Sequence, residues 1–369
     1  MSRILSTLAA GFLAALAVTP ASAQEKVVNV YNWSDYIDES VLEEFTKETG
    51  IKVRYDVFDS NEVLETKLLG GQTGYDVVVP TGSFLQRQIQ AGVFAKLDKA
   101  KLTNLKEQWP LISERLAVYD PGNEYAVNYM WGTTGIGMNV DKVRERLGEQ
   151  PLDTWDIVFK PELLSKLEDC GVYVLDGPEE MIPSALRYMG KDPDSKDPAD
   201  IEAAGEMLAK IRPYIRKFDS SGYINALAGG DICLAVGWSG DVFQAKARAE
   251  EAAEKTGKPP INIDYVIPKE GALMWFDNFA IPKDAPHPEE ALAFINYMMK
   301  PEVAAKNANY ISYASGNLGA EKFIDKEILD NPAIYPDEAT LEKLFTVTTY
   351  PQKVQRVVTR TWSDFKRGR

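Results

Sequence analysis

The sequence predicts an α/β protein of two domains, built from parallel β-α-β units. Two observations carry this. Buried-strand patterns and amphipathic-helix patterns alternate at short intervals, as parallel strands with crossover helices require. In addition, about 346 of the 369 residues remain once an N-terminal leader is set aside, more than one hydrophobic core usually holds.

The leader comes first. Arg3 supplies a positive start, Ile4 to Val18 is an apolar run too short for a membrane span, and Ala21-Ser22-Ala23 is a small-residue cleavage site. The mature chain is expected to begin at Gln24, and no Cys follows the cleavage site to carry a lipid. No later stretch has the length of a membrane helix. A soluble protein exported to a Gram-negative periplasm is the expectation.

Lys26 to Asn29 reads as a buried strand. Ser40 to Thr49 reads as an amphipathic helix stopped by Gly50, and Ile51 to Phe58 alternates as a strand. Ser60 caps a helix to Leu69, ended by Gly70-Gly71. Tyr75 to Pro80 is a strand, and Thr81-Gly82-Ser83 forms the turn that caps the next helix. Tyr129 to Asn139 lacks helical spacing and reads as an extended crossover between domains. Leu152 to Leu167, Ile201 to Ile211 and Tyr223 to Ala228 read as helices. Val172 to Asp176 and Ile232 to Val236 read as strands. Asp176 to Glu180 turns into a helix with acid at its start. Ile261 to Pro268 and Phe279 to Pro282 are strands flanking Met274-Trp275-Phe276-Asp277-Asn278. Pro288 to Met299 is a helix, and the tail from Asp337 to Lys366 is mostly helical.

Three segments far apart in sequence set Trp beside Asp. They are Trp33-Ser34-Asp35-Tyr36 at the end of the first strand, Trp238-Ser-Gly-Asp241, and Trp275-Phe-Asp277. Ligands collect at strand ends in α/β sheets. The three segments therefore read as walls of one pocket for a small organic cation.

The formal charge is −14, which argues against a nucleic-acid partner and is compatible with a cationic ligand. Cys170 and Cys233, an even pair in an oxidising compartment, read as a disulfide. Catalytic and metal chemistry is sparse. The one histidine, His287, lies between prolines in an expected surface loop, so no triad can form around it. Gly132-x-x-Gly135-x-Gly137 is neither a phosphate loop nor a dinucleotide fingerprint. Asp192, Asp194, Asp197 and Asp200 lack calcium-loop spacing and read as a solvated loop. No metal and no cofactor are expected, and a carboxylate-dependent glycoside hydrolase is the enzymatic alternative.

Over essentially the whole mature chain the sequence resembles the periplasmic polyamine-binding proteins of ATP-driven (ABC) importers, the putrescine and spermidine receptors. The runs that carry the resemblance are Tyr31 to Ile37, Asp56 to Glu65, Val78 to Leu85, Tyr129 to Gly137, Gly230 to Asp241 and Ile267 to Gly271. The resemblance implies a two-lobed, type II periplasmic binding protein fold, with the chain crossing twice between the lobes. Each lobe would be a mostly parallel sheet flanked by helices, with the ligand in the cleft between them. It divides the chain into residues 24–132 plus 272–320, and 133–271 plus 321–369. It implies an aromatic cage of Trp33, Tyr36, Trp238, Trp275 and Tyr313. The carboxylates would be Asp35, Glu180, Asp241 and Asp277, and the hydroxyls Ser34, Thr81 and Ser83. Thr81 stands where putrescine-selective relatives carry Ser. Trp275 stands where they carry Phe and spermidine-selective relatives resemble Trp.

The implied function is a monomeric, non-enzymatic receptor that hands polyamine to an inner-membrane permease. A polyamine sensor on the same fold is the third reading. The chemistry is consistent with this, because polyamine ammonium groups are charged near neutral pH and carboxylates can neutralise them. Aromatic faces can cover the methylenes between them, with cation–π attraction of about 0.5–2 kcal/mol each.

Overall fold

The computed structural model describes residues 25–368; the leader and its cleavage point near Ala23 lie outside them. Ten strands occur among the described residues: β1 Val27–Trp33, β2 Lys52–Phe58, β3 Val77–Val78, β4 Ala126–Asn139, β5 Val172–Val174, β6 Lys217–Phe218, β7 Leu234–Trp238, β8 Ile263–Val266, β9 Leu273–Ala280 and β10 Ala314–Ser315. They form one continuous sheet in the order β2-β1-β3-β9-β4-β7-β5-β6, with β8 and β10 also paired to β4. The two ends of the sheet are parallel, as the βαβ pattern predicts. The centre is antiparallel, because β9 and β4 return through it.

β4 is the organising strand. Its fourteen residues are all buried. Its first part pairs with β9 and its last part with β7 and β8. The apolar residues divide accordingly. Val28 to Trp131 and Leu273 to Val347 contribute to one core, while Ile136 to Val236 and Tyr350 to Phe365 contribute to another. A smaller cluster under β8 and the helix Ser239–Thr256 adjoins the second.

The chain thus passes between the two cores near residues 131–136, 266–273 and 347–350. Ile324, Ile334 and Val347 pack in the first core.

Other local differences have physical reasons. Met274 to Asn278 is the interior of β9 and not a loop between strands, because pairing along β4 outweighs the local composition. Leu152 to Leu167 breaks at Pro161 into short turns, since proline cannot continue the preceding helix. The tail is helical only at Glu338–Leu341 and Gln352–Arg367. Asp194 accepts hydrogen bonds from Thr348 N (2.7 Å) and Oγ1 (2.8 Å), so the acidic loop anchors the third crossover and is not merely solvated. His287 is partly exposed, yet its backbone N–H (2.6 Å) and Nδ1 (3.0 Å) meet the buried Asp76 carboxylate.

Cys170 and Cys233 are bonded, with Cα atoms 5.5 Å apart. They precede β5 and β7, neighbouring parallel strands whose register pairs Val172 with Leu234. The bond closes a loop of 63 residues, worth about 4 kcal/mol in the chain-entropy model. Alkylating the oxidised protein without reductant should therefore label no thiol. The Cys170→Ala/Cys233→Ala double variant should lose about 4 kcal/mol of unfolding free energy while keeping the near-ultraviolet tryptophan spectrum. Two labelled thiols, or an unchanged denaturation midpoint, would contradict the assignment.

Candidate functional site

A slender cleft lies where the lobes meet. It encloses a volume of about 450 Å³. Its shape suits a thin ligand more than a bulky one.

Each wall follows from a local feature. Trp33 ends β1, and its indole N–H donates to Val79 O at 2.9 Å, which fixes the ring at the strand end. Trp238 ends β7 and meets Trp33 edge-on across the cleft, centroids 5.6 Å apart. Trp275 and Asp277 are two residues apart in β9, so the pleat directs both to one face. The Trp275 ring lies over Gly132 of β4. A Cβ there would come within 2.7 Å of it, so only glycine leaves the space. Tyr313 packs at 5.4 Å from Trp275 and 5.1 Å from Tyr36. Gly240 leaves room for Tyr313, because a Cβ there would lie 2.4 Å from the ring.

The carboxyl groups meet hydroxyls and an indole. Asp241 accepts from Tyr313 Oη at 2.6 Å and Tyr223 Oη at 2.9 Å. Its side chain does not cap the helix Ser239–Thr256, which it enters in the first turn. Asp277 accepts from Thr81 Oγ1 at 2.6 Å, and Thr81 in turn accepts from Asn61 Nδ2 at 2.9 Å. The Thr81 hydroxyl therefore serves Asp277 and not its own helix Gly82–Gln90. Glu180, in the first turn of the helix Pro178–Tyr188, accepts from Thr134 Oγ1 at 2.5 Å and Trp238 Nε1 at 3.2 Å.

Among the described residues no lysine or arginine lines the cleft. Burial pushes the carboxyls of Asp241, Asp277 and Glu180 up to about 7, and their hydrogen-bond donors offset only part of that shift. Asp241 and Glu180 also raise Asp277 by like charge. Among the described residues no group of three His, Cys, Asp or Glu side chains is arranged to hold a metal.

Of the residues singled out from sequence, Trp33, Ser34, Tyr36, Thr81, Glu180, Trp238, Asp241, Trp275, Asp277 and Tyr313 line this cleft. Two do not. Asp35 turns away at φ 53° and pairs with Arg248 of the opposite lobe at 2.5 Å. Ser83 lines an adjoining chamber with Glu179, Phe84 and Tyr119, on the far side of Thr81 and Trp275. Asp59, Asn61 and Ser220 line the cleft without having been singled out. Asp59 follows β2 directly, so the strand-end rule that found Trp33 applied to it equally. Nothing local marks Ser220.

A family model described as bacterial extracellular solute-binding protein matches residues 40–336. The chain is 52% identical over 367 residues to the putrescine-binding periplasmic protein SpuD of Pseudomonas aeruginosa (strain UCBPP-PA14), covering 99% of this chain and 98% of that one. It is 50% identical to the putrescine-binding periplasmic protein PotF of Escherichia coli (strain K12), with the same coverage. A solved structure, a putative spermidine/putrescine ABC transporter from Listeria monocytogenes, superposes with a TM-score of 0.81. It is 33% identical and covers 93% of this chain and 100% of that one.

The raised carboxyls give a pH dependence. Their folded values, about 7, exceed ordinary unfolded values near 4. The folded, empty protein thus binds more protons than the unfolded chain between roughly pH 4 and 7, and its stability falls as pH rises through that window. Melting temperature without ligand should accordingly decline from pH 5 to pH 7.5. The Glu180→Gln/Asp241→Asn/Asp277→Asn variant should flatten that slope. An equal slope in both proteins would refute the assignment.

Proposed function

The chain belongs to the bacterial extracellular solute-binding proteins, and from that premise we propose that it is a periplasmic polyamine receptor serving an ABC permease. One observation carries the choice of ligand. Glu180, Asp241 and Asp277, buried cleft carboxyls from both lobes, make no ion pair among the described residues, and they sit among five aromatic rings. An alkyl chain with terminal ammonium groups supplies what is missing. Its charges pair with carboxylates, and its methylenes are covered by Trp and Tyr faces.

Asp277 extends from β9 beside the first core, and Asp241 from the second-lobe helix, so an ammonium between them bridges the lobes. That differential contact favours the closed arrangement over an open one. The lobes are proposed to be the moving bodies, with the three crossover segments as hinges. The similar proteins are named as binding proteins, and delivery without turnover is the proposed outcome of binding. Trp275 presents a flat face along which a longer polyamine can lie, so spermidine is proposed as a ligand beside putrescine.

A thermal-shift panel of putrescine, cadaverine, agmatine, spermidine and spermine tests the reading, since a ligand that binds only the folded state raises the melting temperature. Calorimetry then tests the residues. Asp241→Ala or Asp277→Ala leaves a cation short of a partner and should cost about 3–5 kcal/mol, at least a hundredfold in Kd. Asp192→Ala, outside the cleft, should leave Kd unchanged. Trp275→Phe should weaken spermidine more than putrescine. No shift with any polyamine, or full affinity in Asp241→Ala protein with a lowered melting temperature, would overturn the reading.

A further inference from the structure

The last helix, Gln352–Arg367, is the electrostatic exception in an acidic molecule. It carries Lys353, Arg356, Arg360, Lys366 and Arg367 against a single acid, Asp364, in a chain of formal charge −14. Arg356, Arg360 and Arg367 follow one another at about one turn and then two, so one face holds a basic row roughly 16 Å long.

That row forms one wall of a surface groove. Arg87 and Gln90, of the helix Gly82–Gln90 in the first lobe, form the other wall, and Tyr350 and Pro351 lie between them. No acidic side chain lines the groove. The acids that pair with its arginines lie outside the lining: Glu65 on Arg87 at 2.6 Å, Glu202 on Arg360 at 2.7 Å and Asp364 on Arg367 at 3.3 Å. Arg356 has no ion pair among the described residues. Two contacts hold the walls together across the lobes: Arg87 Nη1 donates to Gln355 Oε1 at 3.2 Å, and Thr349 N donates to Gln86 Oε1 at 2.9 Å. The shape of the groove therefore depends on the relative position of the lobes.

We propose that this groove docks an acidic segment of a membrane-borne protein partner. Charge complementarity sets the sign of the partner, and concavity sets its class. A loop or helix end can reach between two helical walls, whereas the plane of an anionic bilayer meets only their crests. Because both lobes build the groove, the partner distinguishes one lobe arrangement from another. The proposal rests on the receptor reading above, with the permease as the partner.

The test uses right-side-out membrane vesicles from the producing cells, freed of their own receptor and loaded with ATP. Full-length receptor and radiolabelled putrescine are added outside. Arg356→Glu/Arg360→Glu should reduce uptake about tenfold at limiting receptor, and Arg356→Gln/Arg360→Gln by less, as expected for steering by charge. Saturating receptor should restore uptake in both. Putrescine affinity by calorimetry should remain within about twofold of wild type, because neither residue touches the cleft. The glutamine variant keeps the test usable if the glutamate variant folds poorly.

Unchanged uptake would overturn the proposal, as would a loss that saturating receptor does not recover. So would wild-type binding to phosphatidylglycerol vesicles that the variants lose, which places a membrane there. A wild-type dimer that the variants lose would place a second copy there and also overturn it. Failure of the receptor reading shows separately, as wild-type protein that binds no putrescine in the calorimeter, and the groove proposal then falls with it.

Discussion

Three buried carboxyl groups that form no ion pair among the described residues are the constraint on which the rest of the site depends. Glu180, Asp241 and Asp277 are held by hydroxyls and one indole, none of which carries charge. An ionised acid in such surroundings is costly unless a counter-charge arrives. The empty cleft therefore holds protons or parts its walls, and a cation of suitable length removes both needs. The aromatic rings exclude water from this arrangement, which strengthens every charge–charge interaction inside it.

The fold supplies this constraint through continuity more than through loops. β4 runs as one strand from one core to the other, with a register shift against β9 between Asn128 and Met130, so one strand carries the walls on either side. Gly132 within β4 and Gly240 at the start of the second-lobe helix leave room for Trp275 and Tyr313. A side chain at either position would push an aromatic wall into the channel. The disulfide lies at the far side of the second lobe, before β5 and β7, and stiffens the sheet that carries Trp238.

Much of the site was legible because its chemistry is concentrated in short segments. Trp33, Trp238 and Trp275 stand beside acids in three separate places, and a shared pocket was the economical reading. Asp35 misled for the same reason. It sits among ligand-type residues, but its left-handed backbone turns it outward to Arg248, a contact more than two hundred residues distant. Met274 to Asn278 lacks a local strand signal because the partner that makes it a strand, β4, is remote in sequence. Asp194 and His287 were read by their polar neighbours. Their roles come from Thr348 and Asp76, which no local pattern connects to them.

Proton release on binding tests the central claim most directly. Putrescine is titrated into the protein at pH 7 by calorimetry, in buffers of different ionisation enthalpy, and again at pH 9. If the carboxyls of the empty site lie near 7 and the ligand's ammonium groups ionise them, protons should leave on binding at pH 7, and release should vanish at pH 9. Binding at pH 7 with an enthalpy independent of buffer, or with proton uptake, would contradict the account.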